Sequence, residues 1–200
     1  MKVSMREWGN IDTSMKYFLH FDVPKGSRIL DIGCNHGTLI HELFQRGYED
    51  VWGVDIRRDA INAGKSSYES ISGHLIHYGG KVLPFEKNYF DVIMMFDVIE
   101  HLSDVPVFLG EVYRVIQGGG VFIFQTPNKI TNIPWMMIEQ KRIFPRFSHH
   151  CSLQTPESLK LNLIRSGFTE THIEKYTIIT THNVKKVRRR LGLRIPFSAY

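Results

Sequence analysis

The chain has 200 residues, 42% of them apolar and 22% charged, which is the composition of an ordinary globular domain long enough to bury a sizeable core. No run approaches the roughly 18–20 consecutive apolar residues of a membrane span, the start Met1-Lys-Val-Ser-Met-Arg-Glu-Trp8 has no apolar signal region, and Cys34 and Cys151, the only cysteines, exclude a disulfide scaffold; a cytoplasmic protein with reduced thiols is expected. The formal net charge is +5, yet Lys185, Lys186, Arg188, Arg189, Arg190 and Arg194 stand together without an acid, so the rest of the chain is near neutral and lacks the broad basic face of a nucleic-acid-binding fold.

Residues Glu7 to Phe21 read as a helix, with Trp8, Ile11, Met15, Phe18 and Leu19 on one side. Arg28 to Ile32 has the apolar, β-branched content of a buried parallel strand. Gly33 and Gly37 follow, where the chain must turn tightly and where a side chain would hold a ligand away from the backbone. Leu39, Ile40, Leu43 and Phe44 then recur at helical spacing. A strand, a glycine turn and a helix N-terminus in this order form a small-molecule binding loop. The second strand, Val51-Trp-Gly-Val-Asp55, ends in a carboxylate about twenty residues later. An acid at that place accepts hydrogen bonds from ribose hydroxyls in nucleotide-binding α/β units. The lesser reading of Asp55 is a cap for a helix from Arg58 to Lys65.

Leu75 to Tyr78 reads as a short third strand, and Phe90 to Phe96 as a central fourth one, apolar on both faces. Asp104 caps a helix carrying Val107, Phe108, Val112, Val115 and Ile116, which Gly118-Gly-Gly120 is expected to end. Val121 to Phe124 is the fifth strand. A long connection through Trp135, Met136, Met137, Ile138, Phe144 and Phe147 follows, and connections this long are commonly lids or binding segments. Its apolar content suits an apolar acceptor, a membrane-facing lid or simple docking onto the domain. Thr155-Pro-Glu-Ser158 starts a helix to Ser166, and Gly167-Phe168 leads into a strand through Thr180. The basic segment beyond it reads as a solvated terminus or as an attraction for anionic lipid or RNA. Alternating strands and helices of these lengths predict a doubly wound α/β sheet with right-handed crossovers.

Six segments in order, Asp31-Ile-Gly-Cys-Asn-His-Gly37, Gly53-Val-Asp55, Leu83-Pro-Phe85, Phe90-Asp-Val-Ile93, Val98-Ile-Glu-His-Leu102 and Gly118-Gly-Gly120, resemble the successive motifs of class I S-adenosylmethionine-dependent methyltransferases. The likeness covers roughly residues 25 to 180 and is closest to the broad group that includes the ubiquinone-biosynthesis O-methyltransferases. Six ordered motifs are far more specific than a lone glycine loop, so a dinucleotide dehydrogenase is the weaker reading. The resemblance implies a Rossmann-like, mostly parallel seven-stranded sheet flanked by helices, its last antiparallel strand short or missing. It implies one domain over 1–200, with a helical cap (1–24), a cofactor-binding core (25–126), a substrate-side insertion or lid (127–154) and a C-terminal helix, strand and basic tail (155–200).

By the same resemblance Asp31, Gly33, Cys34, Asn35, Gly37, Asp55, Ile56, Gly80, Phe96, Asp97 and Val98 contact S-adenosyl-L-methionine, S-adenosyl-L-homocysteine is the product, and Trp8 or Tyr17 covers the ligand. Two positions depart from the family: Asn35 replaces a frequent glycine, and Gly79 and Gly80 stand where an acid commonly accepts a hydrogen bond from the adenine amino group. Asn tolerates the left-handed conformation, so the loop can keep its shape. His101 is the candidate general base, or else a histidine that orders its loop. A rival arrangement, similar to small-RNA 2′-O-methyltransferases, has Asp97, Glu100 and His101 converge with His149 or His150 on Mg²⁺ or a transition ion. The expected acceptor is a small or lipid-like molecule rather than nucleic acid, with membrane contact through the basic tail as an accessory. A non-catalytic cofactor-binding module is the remaining alternative.

Overall fold

The computed structural model describes residues 11–140 and 151–174. Five parallel strands, β1 (Ile29–Ile32), β2 (Val51–Asp55), β3 (Leu75–His77), β4 (Phe90–Phe96) and β5 (Ile116–Gln125), form one sheet in the order β3-β2-β1-β4-β5. The chain winds outward from β1 through β2 to β3, then crosses back to β4 and β5. The reversal falls between β1 and β4, and the crevice at the carboxyl ends of such strands is where open α/β sheets bind ligands.

Period-two alternation along β4 divides the core. Ile93 and Met95 face the helix α4 (Val105–Val115), where Phe108, Leu109 and Val112 bury them together with Leu159 and Leu163 of α6 (Pro156–Arg165). Val92 and Met94 face the other layer, formed by Met15 and Phe18 of α1 (Ile11–Leu19), Ile40 and Leu43 of α2 (Thr38–Gln45), and Ile61 of α3 (Arg58–Ser67). The helix caps are the expected ones. Asp104 accepts from the Val107 N–H, and Thr155 and Ser158 close a reciprocal capping box.

Two expectations change. Gly118 to Gly120 do not simply stop α4, which ends at Val115; they lie inside β5. The ladder pairs Phe90 with Ile116 and then Val92 with Val121, so β5 bulges outward between them. Glycine is required there because a Cβ at Gly120 would stand 2.9 Å from the Asp91 carbonyl oxygen, and Gly119 has φ +80°. Asp91 ties the bulge down, accepting from the Arg28 N–H at 2.6 Å and from the Gln117 amide. Part of the long connection is helical, α5 (Lys129–Gln140), even though Pro134 removes one of its ladder donors.

Five strands rather than seven are seen among the described residues. Residues 168–174 pair with no strand, and Phe168 instead lays its ring against Tyr113 and Phe122. The expected continuation to Thr180, the basic segment 185–194, Trp8, Phe144, Phe147, His149, His150 and the side chains of Trp135 and Ile138 lie outside the described residues. No helix among the described residues is long and apolar enough to cross a membrane.

Candidate functional site

The loop after β1 is built by three left-handed residues, Gly33 (φ +84°), Asn35 (φ +52°) and Gly37 (φ +79°). Gly33 and Cys34 N–H donate to the Val54 carbonyl at 2.8 and 3.1 Å, which draws the loop over the end of β2. A Cβ at Gly33 would stand 2.4 Å from Val98 Cγ2, and one at Gly37 would stand 2.6 Å from Leu75 Cδ2. The loops after β1 and β4 therefore touch at the switch point, and only glycine permits it.

Asp55 joins two of these pieces. Its Oδ2 accepts from the Asn35 N–H at 2.9 Å, and its Oδ1 accepts from the Arg57 N–H at 2.8 Å, at the start of α3. The carboxylate thus serves the helix start and also braces the glycine loop, with lone pairs remaining on both oxygens. Asp31 lies nearby, 5% exposed, with no hydrogen-bond donor to its carboxyl among the described residues. Burial first, and then the Asp55 charge, push it up to about 7. Burial likewise pushes the Cys34 thiol well up, so it stays protonated and is no nucleophile.

Ile56 and Gly80, far apart in sequence, are neighbours: a Cβ at Gly80 would stand 3.1 Å from Ile56 Cγ2. Phe96 stacks with Tyr17 of α1 at 6.5 Å between ring centres, so Tyr17 does border the carboxyl edge. Asp97 is left-handed (φ +53°), donates its N–H to the Gln125 carbonyl, and accepts from the Gln125 amide at 3.4 Å. A non-glycine residue held there stores strain of the kind that collects at binding sites. Leu83-Pro-Phe85 is bolted to α4: Arg114 donates to the Leu83 and Phe85 carbonyls, and Glu111 accepts from the Leu83 N–H.

Glu100 and His101 part company. Glu100 is 1% exposed, its Oε2 accepts from Thr126 Oγ1 at 2.9 Å, and burial raises its carboxyl. His101 ends a 3-10 turn from Ile99 and is exposed. Among the described residues no three metal-capable side chains gather. Glu100 also anchors the chain at Ser152, whose N–H donates to its carbonyl at 2.9 Å. Sequence reasoning missed Thr126, Ser152 and Gln154. Gln154 bonds the Lys129 N–H through its carbonyl and the Ser158 hydroxyl and Asn162 amide through its side chain. The one sequence signal was that Thr126 immediately follows a strand at the carboxyl edge.

Three features suit a nucleoside-containing cation. Glycines at 33 and 37 let the loop pack against Val98 and Leu75, the buried Asp55 carboxylate is bonded to the loop with the buried Asp31 carboxyl at the end of the strand before it, and Asn35 Oδ1 is buried without a partner among the described residues. A nucleoside hydroxyl on Asp55 and a positive centre near Asp31 would satisfy this donor and acceptor set.

Comparison with known proteins agrees. A methyltransferase-domain family model matches residues 9–173. A ubiquinone biosynthesis O-methyltransferase of Rhodopseudomonas palustris is 32% identical over 160 residues, 73% of this chain and 60% of that protein. The chain spans between 41% and 62% of the length of the curated relatives it matches. The crystal structure of the YcgJ protein from Bacillus subtilis shares the fold with a TM-score of 0.69 at 18% identity, covering 90% of this chain and 83% of that one. Phosphoethanolamine N-methyltransferase 2 of Haemonchus contortus, solved with S-adenosyl-L-methionine, superposes with a TM-score of 0.68 at 19% identity, over 92% of this chain and 43% of that one. The chain belongs to the methyltransferase-domain family, built on the Rossmann-like α/β fold whose cofactor is S-adenosylmethionine.

Proposed function

We propose that the chain transfers a methyl group from S-adenosylmethionine to a small or lipid-like acceptor in the cytoplasm. The observation that carries this reading is the Asp55 carboxylate clasping the Asn35 N–H of the glycine loop at the β1/β4 switch point. In this reading Asp31, Gly33, Cys34, Asn35 and Gly37 hold the amino-acid end of the cofactor. Asp55 takes the ribose, Ile56 and Gly80 border the base, and Phe96, Asp97 and Val98 close the side toward β4. The cofactor supplies an already activated sulfonium methyl. The chain's own task is alignment of donor and acceptor, and removal of a proton where the acceptor carries one. No nucleophilic side chain is needed, which agrees with a protonated Cys34.

His101, exposed on the turn after β4, is our candidate for the group that takes that proton. Glu100 is turned inward to Thr126, which favours a metal-free site over the rival metal set. The apolar residues of the 127–154 insertion and the O-methyltransferase names of the relatives support an apolar oxygen acceptor. The division into cap (1–24), core (25–126), insertion (127–154) and C-terminal part (155–200) belongs to the same proposal. Calorimetry with S-adenosylhomocysteine against NAD tests the cofactor: binding of NAD alone would make the chain a dehydrogenase and end the proposal. A screen of acceptors with labelled methyl donor then identifies the acceptor, and tight donor binding without turnover across that panel would favour a non-catalytic module.

A further inference from the structure

We infer that the base end of this site is read by apolar contact without a side-chain acceptor, so that purine nucleosides lacking the 6-amino group, or carrying a methyl on it, bind nearly as well as the adenine form. This rests on the cofactor reading above. Strand register supplies the location. Asp55 pairs with His77, and the Tyr78 N–H donates to the Asp55 carbonyl at 3.1 Å, so the turn after β3 lies directly beside the end of β2. A ribose seated on Asp55 carries its base one glycosidic bond away, over Ile56 and that turn.

What the base meets there is apolar. Ile56 is 62% exposed with Gly80 against it, and Val82, two residues beyond Gly80, is 67% exposed. Exposed aliphatic surface of this kind suits the flat face of a purine. From Tyr78 to Leu83 no side chain is an amide or a carboxylate; Lys81 can only donate, and the Tyr78 ring is packed in the core. Gly79 is exposed, has no atom within 4 Å of an added Cβ, and lies outside the left-handed region. A 6-amino substituent therefore finds open space where a carboxylate would otherwise bind it. Losing a hydrogen bond to a charged acceptor ordinarily separates two ligands by about tenfold or more. Without that charged acceptor this source of separation is lost, and only the weaker bond of a neutral backbone carbonyl could take its place.

The test is a calorimetric titration of the full chain with S-adenosylhomocysteine, its 6-deamino purine analogue and its N6-methyl analogue. We expect all three dissociation constants to agree within about fivefold. The variant Gly79→Asp, which places a carboxylate beside the base, should widen the gap between the parent and deamino ligands to about tenfold or more. A wild-type gap beyond fivefold with either analogue overturns the inference while leaving the cofactor assignment intact, as does a Gly79→Asp protein that binds but shows no wider gap. Failure of S-adenosylhomocysteine itself to bind overturns the cofactor assignment and this inference with it.

Discussion

Gly64, in the interior of α3, offers a sharp trial of how the glycine loop is supported. Replacing a mid-helix glycine by alanine ordinarily stabilises a helix by about 1 kcal/mol. Here the added Cβ would lie 2.2 Å from the His36 carbonyl oxygen and 2.9 Å from the carbonyl carbon. Carbon–oxygen contacts settle near about 3.3 Å, so one backbone must retreat by about 1 Å. Overpacking of this kind costs about 1–3 kcal/mol. The displaced backbone adjoins Asn35, whose N–H holds Asp55 at 2.9 Å, and weakening a bond to a charged acceptor adds about 1.5–3 kcal/mol. Against the helical gain, Gly64→Ala should lose about 3 kcal/mol, or about 6–12 °C of melting temperature for a chain of this size. Gly110, inside α4 with nothing within 4 Å of its added Cβ, is the control: Gly110→Ala should gain about 2–4 °C. Thermal melts of the three proteins, with S-adenosylhomocysteine titrations of each, decide the matter. A Gly64→Ala protein that melts at or above the wild type with unchanged affinity would refute the reasoning.

Asp55→Asn should weaken S-adenosylhomocysteine binding by about tenfold or more, because the amide presents a donor where two backbone N–H groups and a ribose need acceptors; equal titrations for the two proteins would remove Asp55 from the site. The Asp31 carboxyl, raised from 3.8 to about 7, stays protonated in the folded chain while the unfolded chain ionises. Stability should therefore fall as pH rises from about 4 to about 7 and level off above it, and urea melts should show Asp31→Asn gaining on the wild type across that window. The same ionisation should tighten binding of the cationic S-adenosylmethionine between pH 6 and pH 8, and a flat affinity there would count against Asp31 facing the positive centre. Thr126→Val leaves the buried Glu100 carboxyl without its hydroxyl donor and should cost about 1–3 kcal/mol, an effect that a double cycle with Glu100→Gln should show to be shared between the two residues.

Much of the arrangement was legible in local patterns. The strand at Ile29–Ile32, the left-handed turn and the carboxylate at Asp55 follow from composition and spacing, since each is dictated within a few residues. The Asp104 and Thr155 caps were equally local. The glycine run at Gly118–Gly120 was misread because a bulge is defined by the strand it faces, and nothing near it in sequence announces the Asp91 carbonyl. Helix α5 was hidden by Pro134, which breaks the pattern that signals a helix even where neighbouring turns sustain it. Glu100 entered the rival metal arrangement because its carboxyl is legible locally, whereas its partner Thr126 comes from another strand end.

The chain that leaves β5 at Asn128 is paired again at Gln154. Asn128 bridges Gln154, and the Lys129 N–H bonds the Gln154 carbonyl at 2.9 Å. Chain of any length can be looped out between such closely spaced posts at little entropic expense. Under the proposed division the looped-out chain is the acceptor side, so it can be lengthened, shortened or exchanged while the pairing at Gln154 is kept, which makes this point the natural place to graft a new acceptor preference.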